Sequence, residues 1–285
     1  MHERPSFPSI HRHSTGPNGA LVNAYLVEGP TGVVAVDSTM VVPDCRALRA
    51  RLDAVGKPLL AVLLTHPHPD HYGGLTQLVR DDDVPIIATQ GVDEAVRAED
   101  PIKEKILRPI FGDDWEPHRR FPNHIVQDRE RLVFDGMTLT VIDLGPGESL
   151  SDSIWLLGEG ADQVFVGDQV YNHMHSYLAD GFPNEWLASI SRLERELDPD
   201  ATLYVGHGAP VSLDCFEWQR AYIEAFMSAM KDAAWNQPAR AREQVIEAVK
   251  QFLPTDQLQF LLEMSVDSMA GKLGFTDASA AQAEA

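Results

Sequence analysis

The chain has 285 residues, 44% of them hydrophobic, which suits one large domain or one domain with an appendage and gives enough apolar content for a sizeable core. Asp and Glu outnumber Lys and Arg by 43 to 23, a formal charge of −20, and such a surface repels nucleic acid and anionic lipid, which need basic patches to displace counterions. Two isolated cysteines, Cys45 and Cys215, argue against a disulfide framework.

The N-terminal "MHERPSFPSIHRHSTG" has no basic segment followed by an apolar run, so no signal peptide is expected, and His11 and His13 read as a solvated lead-in. No stretch approaches the ~18 apolar residues of a membrane span, which makes a cytoplasmic protein the expectation. Residues 20–39 read as two strands around a turn at Gly29, Pro30 and Gly32. Leu48, Leu52 and Val55 have helical spacing, with Gly56 as the stop. Leu59 to Leu64 is a short buried strand, "GGLTQLVRD" opens a helix, "VPIIAT" is a strand, and a helix starts near Val92. Residues 100–130 read as an irregular lid with a short helix. In it His118 and His124 have plain loop roles, and Phe111, Trp115 and Phe121 form an apolar face suited to a hydrophobic acyl or aromatic group in the substrate.

Two hairpins follow, "RLVFDGMTLTVIDLG" with its turn at Asp135 and Gly136, and "SIWLLGEGADQVFVGD". Leu187 to Leu197 is a helix and "ATLYVGHG" a last strand. Beyond Pro210 only helical stripes appear: Tyr222, Phe226 and Met230; Val245, Val249 and Phe252; Leu258, Leu262 and Met269. These helices suit either walls for a substrate cleft or a homodimer surface. The tail "TDASAAQAEA" is expected to fray.

His66, His68, Asp70 and His71 crowd into six residues after a buried strand, with Pro67 and Pro69 stiffening the positions between. Burying imidazole without partners is costly, so a solvated loop explains the crowding poorly. A metal explains it, since neutral imidazoles and a carboxylate suit zinc, iron or manganese. Three further strand ends carry matching groups, Glu148, Asp168 and His207, each directly after a glycine. Singly each is an ordinary turn residue; together they describe strand tips feeding one cleft.

"THPHPDH", "PGES", "VGDQVY" and "YVGHG", in this order and at these spacings, resemble the metallo-β-lactamase superfamily of hydrolases over about residues 20–210. The resemblance implies an α/β fold, a four-layer αβ/βα sandwich of two mixed sheets with helices outside. On that reading residues 1–212 form the metallo-β-lactamase-like domain, 213–273 a C-terminal helical extension and 274–285 a disordered tail. It also implies two divalent metal ions, zinc by family. His66 and His68 match ligands of the first, Asp70, His71 and His207 ligands of the second, and Asp168 the bridging carboxylate.

Glu148 departs from the pattern, because the family places a histidine in this turn. It ligates the first metal, swings away from it, or serves as a general base; ligation is the favoured reading. With a histidine, two divalent ions balanced by Asp70, Asp168 and a hydroxide leave one net positive charge, and Glu148 brings that to zero. A harder oxygen ligand also tilts preference toward manganese or iron.

The chemistry implied is hydrolysis of a small ester, thioester, lactone or amide, by water whose pKa a metal lowers from ~15.7 toward ~7. Asp70 and Asp168 are the candidate groups that hold the nucleophile and its proton. Tyr171, directly after "VGDQV", is offered as a hydrogen-bond donor to substrate, while His173 and His175 fit packing roles better. The small-molecule substrate is not named by the sequence: relatives of the glyoxalase II type bind glutathione with appended helices, and no basic cluster marks that ligand here. The competing readings are a one-iron oxidoreductase of the persulfide dioxygenase type and a non-catalytic metal-binding protein.

Overall fold

The computed structural model describes residues 8–275. Side-chain alternation decides its architecture. In β1 (Ser9–Ser14) and β2 (Asn23–Glu28) the chain forms a hairpin, and β3 (Val33–Val36), β4 (Leu59–Leu63), β5 (Ile86–Thr89) and β6 (His124–Val126) extend that sheet in order. Strands β3 to β6 are parallel. Along β2, Ala24 and Leu26 join one apolar cluster while Tyr25 and Val27 join another, so both faces of this sheet are covered. Its outer face meets α1 (Val42–Val55), through Leu48 and Leu52, and α4 (Gln90–Phe111), through Val92 and Val96. Between them α2 (Pro69–Tyr72) and α3 (Leu75–Leu78) are single turns.

The second sheet is built from β7 (Arg131–Phe134), β8 (Met137–Gly145), β9 (Asp152–Leu157), β10 (Gln163–Tyr171) and β11 (Thr202–His207). Its inner face gives Leu139, Val141, Trp155 and Phe165 to the cluster that also holds Tyr25, Val27 and Leu63. Its outer face is covered by α5 (Pro183–Glu196), α6 (Cys215–Asp232), α7 (Pro238–Phe252) and α8 (Gln259–Lys272). The order helix, sheet, sheet, helix is the four-layer sandwich expected from the sequence. The C-terminal helices share one continuous apolar cluster with the second sheet, through Phe216, Phe226, Val245 and Val266.

Both hairpins form as read. Asp135 (φ 51°) and Gly136 (φ 79°) make the tight turn, with left-handed backbone at both positions. Four expectations change. "HRHS" is not a solvated lead-in but strand β1, paired residue for residue with β2. The helix in "GGLTQLVRD" shrinks to α3. The helix expected from Leu187 begins at Pro183, where a proline in the first turn costs nothing because its missing N–H has no helical partner. The largest change is the lid: residues 100–111 continue α4, with Pro101 and Pro109 inside the helix.

A polar network, buried at Asp100 and Tyr72 and half-buried at Glu104, holds α4 there against the cost of interior proline. Asp100 accepts from Tyr72 Oη at 3.0 Å and from Arg119 Nη2 at 2.8 Å, and Trp115 Nε1 donates to Glu104 Oε2 at 2.6 Å. Trp115 is fully buried against Met40 and Val41, and Phe121 packs beside Tyr72. These aromatics are therefore turned into the protein and do not form the open apolar face predicted for substrate. Of the tail, only Gly274 and Phe275 lie within the described residues; Phe275 stacks on Trp235, and residues 276–285 lie outside them.

A candidate metal centre at the strand ends

Parallel pairing of β3 with β4 and of β10 with β11 brings their C-terminal ends to one edge of the sandwich. His66 and His68 follow β4, Glu148 follows β8, Asp168 lies near the end of β10, and His207 ends β11. Two glycines make this convergence possible. A Cβ on Gly206 would lie 1.8 Å from Asp168 Oδ1, and one on Gly167 (φ +52°) would lie 2.6 Å from Thr65 Oγ1. The β10–β11 register slips on either side of Gly167, an irregularity that re-aims Asp168 into the cleft.

All seven side chains read from the sequence meet there, in two groups. His66, His68, Glu148 and Asp168 form one; Asp70, His71 and His207 form the other; within each, the donor atoms lie within 4.8 Å of one another. Asp168 faces both. Its Oδ2 is 3.0 Å from His207 Nε2 and 3.9 Å from His66 Nε2, and its Oδ1 is 3.4 Å from His71 Nε2.

Buried polar atoms normally find partners. Here His66 Nε2, His71 Nε2, His207 Nε2, Glu148 Oε2 and Asp168 Oδ1 are buried without a hydrogen bond. Orphaned atoms of ligand type, aimed at one another in two adjacent sets, fit divalent cations chemically: imidazole nitrogens plus carboxylate oxygens.

For three of the four imidazoles, supporting hydrogen bonds fix which nitrogen is offered; among the described residues His207 has no hydrogen-bond partner on either ring nitrogen. Thr65 Oγ1 donates to Asp37 Oδ2 at 2.8 Å, so at 3.0 Å it accepts from His66 Nδ1–H, which frees His66 Nε2. His71 Nδ1 donates to Asp37 Oδ2 at 2.9 Å, freeing its Nε2. His68 is reversed. Its Nε2 donates to Asp180 Oδ2 at 3.2 Å, while its Nδ1 lies 3.1 Å from Glu148 Oε2.

Asp37, Asp152 and Asp180 were not singled out by sequence reasoning. Asp37 directly follows strand β3 with a left-handed backbone (φ 58°), and Asp152 Oδ2 accepts from Glu148 N at 2.7 Å and Gln169 Nε2 at 2.9 Å, bracing the "PGES" turn. The signal for Asp37 was present: an aspartate closing an apolar strand, like Asp168.

The electrostatics follow from burial and crowding. Burial pushes the Glu148 carboxyl up to about 8, against the opposing pull of His68, and pushes Asp152 up to about 6. Burial pulls His207 down, but the Asp168 and Asp70 carboxylates outweigh it and raise the imidazole to about 9. Asp168 and Asp70 fall the other way: burial opposes them, and the neighbouring imidazoles hold both below the ordinary aspartate range. Imidazoles and carboxylates thus share protons in the cleft, and cations binding there release them.

Tyr171 corrects the sequence reading. Its hydroxyl is already engaged within the protein. Its ring is buried and stacks on His207, centroids 4.9 Å apart and planes 2° from parallel, and its Oη donates to Glu148 Oε1 at 2.8 Å. It is a positioning residue for Glu148, leaving Oε2 to face His66 and His68. Tyr171→Phe keeps the stack and strips a buried carboxylate oxygen of its donor. The expected result is a loss of about 1–3 kcal/mol of stability on denaturant titration, with weaker metal binding. His173 is exposed and bonded to Asn172, and His175 is buried against Tyr222 and Thr255, so neither joins the cluster. His118 and His124 also lie outside it.

The family model described as "Metallo-beta-lactamase superfamily" matches residues 17–207. Curated relatives include a hydroxyacylglutathione hydrolase from Methylobacillus flagellatus, 28% identical over 166 residues, covering 58% of this chain and 54% of that protein. Another protein of that name, from Synechococcus sp., is 26% identical over 228 residues, covering 75% of this chain and 78% of its own. The chain spans about half the length of the first of these. Among solved structures, a beta-lactamase domain protein from Burkholderia ambifaria superposes with a TM-score of 0.67 at 17% identity, covering 93% of this chain and 87% of that one. A metallo-beta-lactamase family protein from Thermus thermophilus gives 0.62 at 20% identity, covering 93% and 94%. These superpositions speak to the fold alone. The family match takes in more than half of the chain and every one of the seven clustered residues: the chain belongs to the metallo-beta-lactamase superfamily.

Proposed function

We propose that the chain is a metal-dependent hydrolase of a small ester, thioester, lactone or amide, with a thioester as the first candidate. The observation that carries this reading is the pair of facing clusters with unpartnered ligand atoms, joined by Asp168. The printed names of the hydroxyacylglutathione hydrolase relatives support the thioester. His66, His68 and Glu148 would hold one cation, Asp70, His71 and His207 a second, with Asp168 shared. Such cations act as Lewis acids on a carbonyl oxygen and lower the pKa of water.

The residues divide the remaining work. Glu148 and Asp168 are sealed from solvent, so their task is to hold charge in place. Asp70 is the partly open member of the set, its side chain 14% exposed, with Oδ2 3.4 Å from His207 Nε2. That opening suits Asp70, kept ionised by its imidazole neighbours, to accept a hydrogen bond from the attacking water and orient it. Packed apolar walls around Tyr171 and Trp186 keep other water from the buried side of the cleft.

Zinc is the family expectation, and Glu148 tilts the first cluster toward manganese or iron. Two imidazoles with one carboxylate are also the donor set of mononuclear iron oxygenases, which makes a one-iron oxidoreductase the second reading. Among the described residues no helix is long and apolar enough to cross a membrane.

Metal analysis combined with a panel of thioesters, esters, lactones, β-lactams and phosphodiesters tests the reading. Two equivalents of divalent metal with thioester or ester cleavage is the expected outcome. One iron with sulfur-dependent oxygen uptake favours the second reading. Chelation followed by gel filtration should abolish cleavage and lower the Tm by roughly 10 °C, the size expected for ligands present at ~1,000 times their Kd.

A further inference from the structure

The turn that carries Asp180 is held by a distant part of the chain. Leu178 N donates to Ser265 Oγ at 2.8 Å, Ser268 Oγ donates to Ala179 O at 2.7 Å, and Lys272 Nζ donates to Asp180 O at 2.5 Å. These three residues lie on α8, one turn apart, so a single helix face grips three consecutive residues of the turn. Gly181 (φ +87°) completes the fit: a Cβ there would lie 2.7 Å from Lys272 Cδ. Asp180 then presents Oδ2 to His68 Nε2, with its side chain only 10% exposed. The Tyr177 ring stands edge-on to His68, 4.9 Å between centroids, and limits the imidazole on another side.

We propose that α8 is part of the support of the metal centre: by clamping residues 178–181 it sets Asp180, and Asp180 orients His68 so that Nδ1 faces the first cluster. The chain of contacts is continuous from Ser265, Ser268 and Lys272 to the imidazole. It gives the C-terminal helices a task besides walling the cleft or pairing subunits. Asp180 is a positioning residue, since it acts on the centre through the His68 imidazole. The inference rests on the metal-binding reading of the cluster.

Cobalt(II) titration of the full chain, followed by d–d absorption and competition with a chelator, tests it. Glu148→Gln marks which of two binding events belongs to the first cluster. Asp180→Ala is expected to weaken that event by about 10–100-fold, the size found for carboxylates behind a metal-bound histidine, and to leave the other within about threefold. Asp180→Asn, which keeps an oxygen for Nε2–H, restores most of the loss. Ser265→Ala with Ser268→Ala, remote from every ligand, is expected to weaken the same event by roughly three- to tenfold and to alter the cobalt spectrum, with the apo-protein melting within a few degrees of wild type. Unchanged affinity in both Asp180→Ala and the serine pair overturns the proposal. So does an equal fall of both events, which marks general loosening. A wild-type chain that binds no cobalt overturns the metal reading itself, a distinct result from normal wild-type binding with unaffected variants.

Discussion

Asp168→Ala is expected to bring bound metal from two equivalents to one or none and to lower hydrolysis by at least about a thousandfold. Asp168 is the carboxylate whose two oxygens reach imidazoles of both clusters. Its Oδ2 stands 3.0 Å from His207 Nε2 and 3.9 Å from His66 Nε2, and its Oδ1 3.4 Å from His71 Nε2. Removing it leaves three imidazole edges without the anion between them, so two cations brought close together would repel with only the outlying Asp70 and Glu148 carboxylates to offset the repulsion. Asp168→Asn separates shape from charge: the amide fills the same space, and if charge is what matters it fares little better than alanine. Metal analysis after desalting and steady-state rates on the best substrate read both effects. Retention of two equivalents in Asp168→Asn would show that the carboxylate does not bridge.

Asp37→Ala is expected to lower stability by roughly 3–5 kcal/mol, a fall in Tm of about 10 °C, and to weaken the second metal by about 10–100-fold. One carboxylate serves three donors: Thr65 N on Oδ1 at 2.8 Å, and Thr65 Oγ1 and His71 Nδ1 on Oδ2 at 2.8 and 2.9 Å. All are buried, so water does not replace it cheaply. The backbone adds to the cost, because alanine tolerates φ of +58° less well than aspartate. Asp37→Asn, which suits that backbone, should recover part of the stability and little of the metal affinity, since one face of the amide is itself a donor. A denaturant titration of the apo-protein alongside metal competition reads the two effects apart. A stable Asp37→Ala protein with normal metal affinity would mean that the ring of His71 is held by other contacts.

What the sequence revealed and what it hid have physical reasons. His66, His68, Asp70 and His71 were legible because their chemistry is written in six consecutive residues. Glu148, Asp168 and His207 were legible because each ends an apolar strand behind a glycine, and at all three of those glycines a Cβ would crowd a neighbouring side chain. Asp37 was hidden although it too closes an apolar strand, with Val36 rather than a glycine before it. Its role exists only because β3 lies beside β4, which sets it against Thr65 and His71, and no local signal reports that pairing. Asp180 was hidden further, since it reaches His68 from 112 positions away through a turn held by α8. Tyr171 was placed near the right atoms with the wrong direction: proximity to Asp168 is local, whereas the donation to Glu148 depends on how β10 curves beside the "PGES" turn. The lid reading failed over residues 100–111 for a different reason, while residues 115–123 are irregular as read. Two prolines signalled irregular chain, and the buried contacts of Asp100 with Tyr72 and Arg119 outweigh that signal.

Glu148 also gains meaning from its surroundings. The sequence left three roles for it, and the structure turns its Oε2 toward His66 and His68 while Tyr171 and Asp152 hold the rest of the turn. That geometry suits a ligand held in place better than one swung away.

Crystallography of the protein equilibrated with zinc or manganese, with anomalous data at the metal edge, tests the central claim most directly. Two peaks about 3.5–4 Å apart are expected, one among His66, His68 and Glu148, the other among Asp70, His71 and His207, with Asp168 between them. A cleft with no peak at millimolar metal, or peaks only on surface carboxylates away from these strand ends, would contradict it.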